Sequence, residues 1–421
     1  MKKLFCYLMK LNVVRRVFHS VIYLLISVFL SCAVSTANSG GGATLKNSSL
    51  YVVDLDNAQK LESMNLSTFI KNVKVVRLED HREGLIASVD KLIVHEGYFY
   101  VLDRLKAKSL FVFDGKGKFV RKIGRIGRGP GEYIQITDFT IDADKNQIIT
   151  LDHGQMHFYN TDGTYIKTTR FKPHDGYSFH FQYYDGLIYT DYISFNIRRN
   201  TFLMQSLNPN DGERRSFFLD VNEHNKGFNE SWIAGMPYFI PKHDPPFLFR
   251  HFFMDTIFSI TNRGLMPYLA IQSRDFITKL DLQIPANTNT LEYLARLPVT
   301  TRKVFSIHNY FETSEIIHFS YLRNQISFSV FFSKNTGVSQ VIEFVNFRND
   351  LLFAEDRQNR IFPNFATFDE KGAYEIYHPN STRTEVIIQL ANEKKLKPPF
   401  NDILIDFNEE SNPVIFYYEF K

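Results

Sequence analysis

From Leu50 to Lys421 the chain alternates short apolar runs with Gly, Asp, Asn and Pro. The runs are rich in Phe, Tyr, Ile and Val, residues that fit a pleated, half-buried surface, and Phe alone numbers 41. Helical periodicity shows only near residues 290–297 and 385–395. Many short strands separated by turn residues predict a sandwich, a barrel or a propeller. About 370 residues are too many for one sandwich, so internal repetition decides among these.

Repetition is present. Leu102-Asp103 recurs as Leu151-Asp152, 49 residues on, and the hairpin at 111–120 recurs at 157–166, 46 residues on. Each unit reads strand, turn, strand, turn, strand, Asx-Gly turn, strand, the pattern of a four-stranded propeller blade. One blade cannot bury both of its faces, so blades must stack around an axis. Weaker copies run over 178–219, with 186–189 as second strand, and over 232–272, with 255–260 in that place. Strand-rich segments at 303–347 and 351–421 bring the count to six. The run Val73-Lys74-Val75-Val76-Arg77-Leu78 has no hairpin partner nearby and is expected to complete the last blade, closing the ring. The expected fold class is all-β: a six-bladed β-propeller of four-stranded antiparallel blades, closed by an N-terminal strand. Seven blades stay open if residues 50–70 supply more than one strand.

Ahead of this region, residues 1–31 hold Lys2, Lys3, Lys10, Arg15 and Arg16, no acidic residue, and an apolar core at 21–30. A basic start, a short apolar core and a small residue before the cut describe a secretory signal. The core falls short of the roughly 20 apolar residues of a comfortable transmembrane helix; an uncleaved anchor is the other reading. Val28-Phe29-Leu30-Ser31-Cys32 points to a lipoprotein signal, with cleavage before Cys32 and lipid on its sulfur. Of the two cysteines, Cys6 lies in the removed segment, so the mature chain would hold Cys32 alone and form no internal disulfide. Two or three acyl chains give firm anchoring. The residues after Cys32 are small and uncharged to Ala43, a flexible tether. The expected organisation is signal 1–31, tether 32–49 and propeller 50–421. Cleavage removes five basic residues and takes the formal charge from +4 to −1, which leaves no electrostatic case for nucleic acid.

Val76-Arg77-Leu78-Glu79, Gly84-Leu85-Ile86, the run from Gly124 through Gly129-Pro130-Gly131-Glu132-Tyr133, and Asp138-Phe139-Thr140-Ile141-Asp142 together resemble the six-bladed β-propeller lipoprotein family of Bacteroidota, related to NHL-repeat propellers. The closing Asn412-Pro413-Val414-Ile415-Phe416-Tyr417 is similar to that family's usual ending. The resemblance implies fold and a cell-envelope address, but no common activity. The tether lacks the acidic cluster that accompanies surface export in such lipoproteins, which points to a periplasm-facing protein.

The loop at 124–133 carries the most unusual chemistry. Its glycines and proline allow turns closed to other residues, and with Arg125 and Arg128 it could cradle an anion on main-chain N–H groups. As a nucleotide loop it fails, because no Lys-Ser/Thr follows the last glycine and a strand comes next. The alternative is a rigid inter-blade crossover that packs Tyr133 and aims Glu132 at nearby main chain. Asp138, Asp142 and Asp144 share one strand face at even spacing; they could serve glycoside hydrolysis or simply cap turns. The histidines show no metal-ligand spacing, and no Gly-x-Ser-x-Gly elbow occurs. No cofactor or metal is expected. The favoured reading is non-catalytic recognition of a glycan, peptide or envelope protein, with candidate ligand contacts Arg125, Arg128, Glu132 and Tyr133, and behind them His153 and Asp191. The alternative is a polysaccharide-acting hydrolase or lyase at the channel mouth, marked by two carboxyls about 5–9.5 Å apart.

Overall fold

A computed structural model describes residues 33–34 and 50–421, apart from 153, 172–175, 195–200, 229–238, 243–246, 262–263, 286–287, 354–361 and 380–381. Six sheets form the six blades of a propeller. Blade one is built from Lys91–His95, Tyr98–Asp103, Ser109–Asp114 and Phe119–Ile123, each antiparallel to the last. Blade two uses Asp138–Asp142, Gln147–Asp152, Gln155–Asn160 and Tyr165–Arg170. Blade three uses Phe181–Tyr184, Leu187–Asp191, Phe202–Leu207 and Arg214–Asp220. The short stretch Ala33–Val34 pairs in parallel with the inner strand of blade one.

Burial falls from the inner strand outward. In blade one the second and third strands are buried on both faces, whereas the outer strand is largely half-exposed. Strands packed on both faces read as continuous apolar runs, which is why alternation is clearest only at the rim.

Blade four corrects one expectation. It comprises Phe239–Pro241, Phe247–Phe249, Thr256–Thr261 and Gly264–Gln272, so the segment expected as its second strand is the third. The first two strands have three residues each, too few to display a period. Blade five runs Phe305–Glu312, Ile316–Arg323, Ile326–Ser333 and Ser339–Glu343. Blade six has Thr367–Phe368, Gly372–Tyr377 and Val414–Phe420, and Ile70–Arg77 as its outer strand, from the other end of the chain.

The residues before that closing strand run along the outside of the ring as a strap. Tyr51–Asp54 adds a parallel edge to blade four, Gln59–Lys60 another to blade five, and Met64–Asn65 pairs with Phe347–Arg348. The first two lengthen existing sheets, the third makes a separate two-stranded sheet, and among the described residues none builds a seventh blade. Both expected helices occur, as Thr290–Thr300 between blades four and five and Thr382–Asn392 inside blade six. Two shorter helices are also described, Val221–His224 after blade three and Phe400–Leu404 after Thr382–Asn392. No helix among the described residues is long and apolar enough to cross a membrane. Every strand of the six antiparallel blades lies within 50–421, so this segment carries its own closed core.

Candidate functional site

The antiparallel register places equivalent residues of successive blades at one end of the channel. Lys91 pairs with Leu102, Asp138 with Leu151, Phe181 with Thr190, Phe239 with Phe249, Phe305 with Leu322 and Thr367 with Tyr374. The residue after each second-strand partner is then Asp103, Asp152, Asp191, Arg250, Arg323 or Glu375. The four carboxylates hold the incoming crossover by its main chain. Asp103 accepts from the N–H groups of Ala87 and Ser88, both at 2.8 Å. Asp152 accepts from Ile134 at 2.8 Å and Gln135 at 3.3 Å. Asp191 accepts from Phe179 at 2.8 Å and His180 at 2.9 Å, and Glu375 from Asn364 at 2.9 Å. Arg250 reverses the polarity and donates to the carbonyl of Ile307 in blade five. The repeated Leu-Asp pair in the sequence is the trace of this cap.

Between blades one and two, Lys91 Nζ lies 2.6 Å from Asp138 Oδ1, with both side chains buried. Asp138 Oδ2 also accepts from the Phe181 N–H at 2.9 Å, and Lys91 donates to the Phe139 carbonyl at 2.7 Å. One ion pair thus ties the inner strands of blades one, two and three. Asp142 lies at the other end of its strand, roughly 13 Å along it by strand rise, and pairs with Lys145 at 3.5 Å. That separation exceeds the range for a glycosidase pair. Asp90 and Asp103 are closer: the Ser88 hydroxyl is 3.4 Å from an Asp90 oxygen and 2.8 Å from an Asp103 oxygen. Burial pushes the Asp90 carboxyl up, against the hydrogen bond from the Arg104 N–H (2.7 Å) and the Arg104 charge.

The 124–133 loop closes on itself. Arg125–Ile126 pairs in parallel with Glu132–Tyr133. Glu132 accepts from Arg125 Nε at 2.6 Å and from the Gly129 N–H at 2.7 Å, and these two bonds, the Gly129 one first, hold its carboxyl below the usual range. A Cβ on Gly127 would lie 2.0 Å from Glu132 Oε2, and one on Gly131, at φ +74°, would meet the Tyr165 ring at 2.8 Å. Those contacts explain the glycines. Tyr133 is 1% exposed and packs into the core between blades one and two. Glu132 and Tyr133 therefore build the loop, while Arg125, with 82% of its side chain exposed, and Arg128 face outward.

Of the other candidates, Asp191 sits in blade three, in the cap described above, with His180 Nδ1 at 3.4 Å from its second oxygen. His153 lies outside the described residues. Cys32 does so as well. No group of three His, Cys, Asp or Glu side chains among the described residues could hold a metal ion. Sequence reasoning missed Lys91 and Arg250, whose partners come from neighbouring blades and leave no local spacing, and Asp90, whose partners Ser88 and Arg104 lie within its own blade but form no recognised motif.

Six four-stranded blades closed by a strand from the opposite end define a β-propeller. The chain belongs to the family described as domain of unknown function DUF4934, whose model matches residues 50–419. Among solved structures it is similar to a Bacteroides fragilis protein described as exported, at 18% identity and a TM-score of 0.66, covering 89% of this chain and 100% of that one. A DUF4221 family member from Bacteroides vulgatus is similar at 13% identity and a TM-score of 0.48, covering 84% of this chain and 97% of that one. At such identities the first likeness bears on the fold alone. Among curated proteins, none matches the chain.

Proposed function

We propose that this protein is a lipid-anchored recognition module of the cell envelope, related to NHL-repeat propellers. In this reading it is a rigid funnel whose inter-blade loops bind a glycan, a peptide or another envelope protein without catalysing a reaction. The observation that carries it is the ring of caps. Asp103, Asp152, Asp191 and Glu375 are each engaged by main-chain N–H groups, which suits them to fixing loops on a rigid scaffold. The exposed Arg125 and Arg128, on a loop braced by Glu132 and Tyr133, are the groups offered to an anionic part of the ligand, and His153 and Asp191 are its secondary candidates. The signal at 1–31, Cys32 and the exported relative support an envelope address, facing the periplasm or in the outer membrane.

A thermal-shift screen of residues 50–421 against glycans, peptidoglycan fragments and divalent metals tests recognition. A ligand at about 100 times its Kd stabilises the fold by about 2.7 kcal/mol, and a glycan or peptide hit weakened by Arg125→Ala with Arg128→Ala is the expected outcome. The absence of any hit would shift the assignment to a protein partner. Cys32→Ser should abolish acyl labelling and membrane retention; retention without label would mean an uncleaved anchor. The hydrolase reading rests on Asp90, whose carboxyl, raised by burial and close to Asp103, is suited to donating a proton. Product formation on a bound glycan, lost in Asp90→Asn, would favour it.

A further inference from the structure

The 25 residues 104–128 hold nine lysines and arginines and Asp114 as their one acidic residue, in a chain whose formal charge without residues 1–31 is −1. They cover the outer half of blade one and the crossover to blade two. Arg104 is paired with Asp90, and Arg125 with Glu132; Lys106, Lys108, Lys122 and Arg128 are exposed. Large aliphatic side chains project among them: Leu105 is 60% exposed, Ile126 58% and Ile134 54%.

Two contacts bring the loops that carry these side chains together. Ile126 is the register partner of Tyr133, the neighbour of Ile134. Gln135, on the other side of Ile134, donates to the carbonyl of Arg104, next to Leu105. The backbone beneath is held fixed. Asp103 accepts from the N–H groups of Lys106 and Ala107 at 2.9 and 3.0 Å, and Glu132 clamps the second loop. Rigid loops that hold aliphatic tips out of the core pay the cost of exposure for a reason, and surface apolar groups rimmed by charge mark interaction sites.

We propose that the corner formed by Leu105, Ile126 and Ile134 with Lys106, Lys108 and Arg128 docks on an anionic lipid membrane. Aliphatic tips partition into the boundary between headgroups and acyl chains, while the ammonium and guanidinium groups meet lipid phosphates. An acidic polysaccharide or nucleic acid would match the charge but would leave the aliphatic tips without a role, since such ligands stack on aromatic rings. Among the described residues Tyr98 is the one aromatic of the large exposed apolar side chains, and it lies at the start of the second strand of blade one, away from these loops. The inference goes beyond the recognition reading and is independent of lipid on Cys32.

Co-sedimentation of residues 50–421 with vesicles tests it, using phosphatidylcholine alone and phosphatidylcholine with about one quarter phosphatidylglycerol. Binding to the anionic vesicles alone, weakened by salt, is expected. Leu105→Asp with Ile126→Asp should weaken it by at least about tenfold, and Lys106→Gln with Lys108→Gln by about fivefold per lysine. Val345→Asp, on blade five, should change nothing, and melting curves of every variant should match the parent so that lost folding is not read as lost docking. Absence of anionic-vesicle binding, equal binding to both vesicles, or variants that bind as the parent does would overturn the proposal. So would saturable capture by dextran sulfate without vesicle binding, which would assign the corner to an acidic polymer. A glycan hit in the thermal screen with no vesicle binding would leave the recognition reading standing while this one fell.

Discussion

Lys91 and Asp138 show how a polar pair can be required without adding much stability. Their charges are withdrawn from water, and the gain over an apolar pair of the same shape is small. Removing one partner is another matter. Lys91→Met leaves Asp138 buried without a counter-charge and should cost about 3–5 kcal/mol in urea unfolding, with much of it restored by adding Asp138→Leu. Buried histidines contribute to the response to acid. Burial first, then nearby positive charge, pushes His251 down to about 3. Burial dominates for His308, pushed down to about 4, and for His318, pushed down to about 3 between Phe311 and Phe362. These folded values lie below the ordinary 6.5, so the unfolded chain takes up protons first as pH falls. Stability from neutral histidine is therefore complete above about pH 6.5 and drains away between there and the folded values, about pH 4 for His308 and about pH 3 for the other two. At pH 5 each should cost about 2 kcal/mol. His318→Phe should flatten the loss between pH 7 and 5 by about that amount; an unchanged slope would refute the assignment.

Among the elements, the outer strands divide by whether the strap covers them. The uncovered ones carry Lys71, Lys74 and Arg77, Arg121 and Lys122, Lys167 and Arg170, or Arg214 and Arg215. The covered Gly264–Gln272 has no charged residue and Ser339–Glu343 has only Glu343. Charge, lysine above all, blunts an open sheet edge, and the strap does the same work by pairing. Deleting residues 50–61 removes fully buried Val53 and the Tyr51 ring that meets Tyr268 edge-on at 5.5 Å. It should cost about 3 kcal/mol or more and promote self-association, measured by sedimentation. The strap also marks where sequence reading stops. Blades one and two were legible because the Leu-Asp cap repeats 49 residues on and the hairpin with its turn glycine 46 residues on, and blade three was a weaker copy that keeps Asp191 and an Asp-Gly turn at 185–186. Two-residue parallel strands such as Gln59–Lys60 have no period to read, and blade four begins with strands of three. Of the site, the loop's glycines and Asp191 were visible as types; Lys91–Asp138 and Arg250–Ile307 were not, because each joins residues of different blades.

At the scale of the whole molecule, the ring is locked by its two ends. Lys71 meets Glu419, 348 positions away, across the last pair of strands. Contacts so distant in sequence are slow to form, since the intervening chain must first be brought together. A chain made from its N-terminus therefore holds its closing strand unpaired until its last strand, Val414–Phe420, has been completed. Each of the other five blades draws its four antiparallel strands from one continuous stretch, so only the sixth waits on both ends of the chain. A chain that lacks Val414–Phe420 leaves Ile70–Arg77 unmated, an open sheet edge able to pair with another chain.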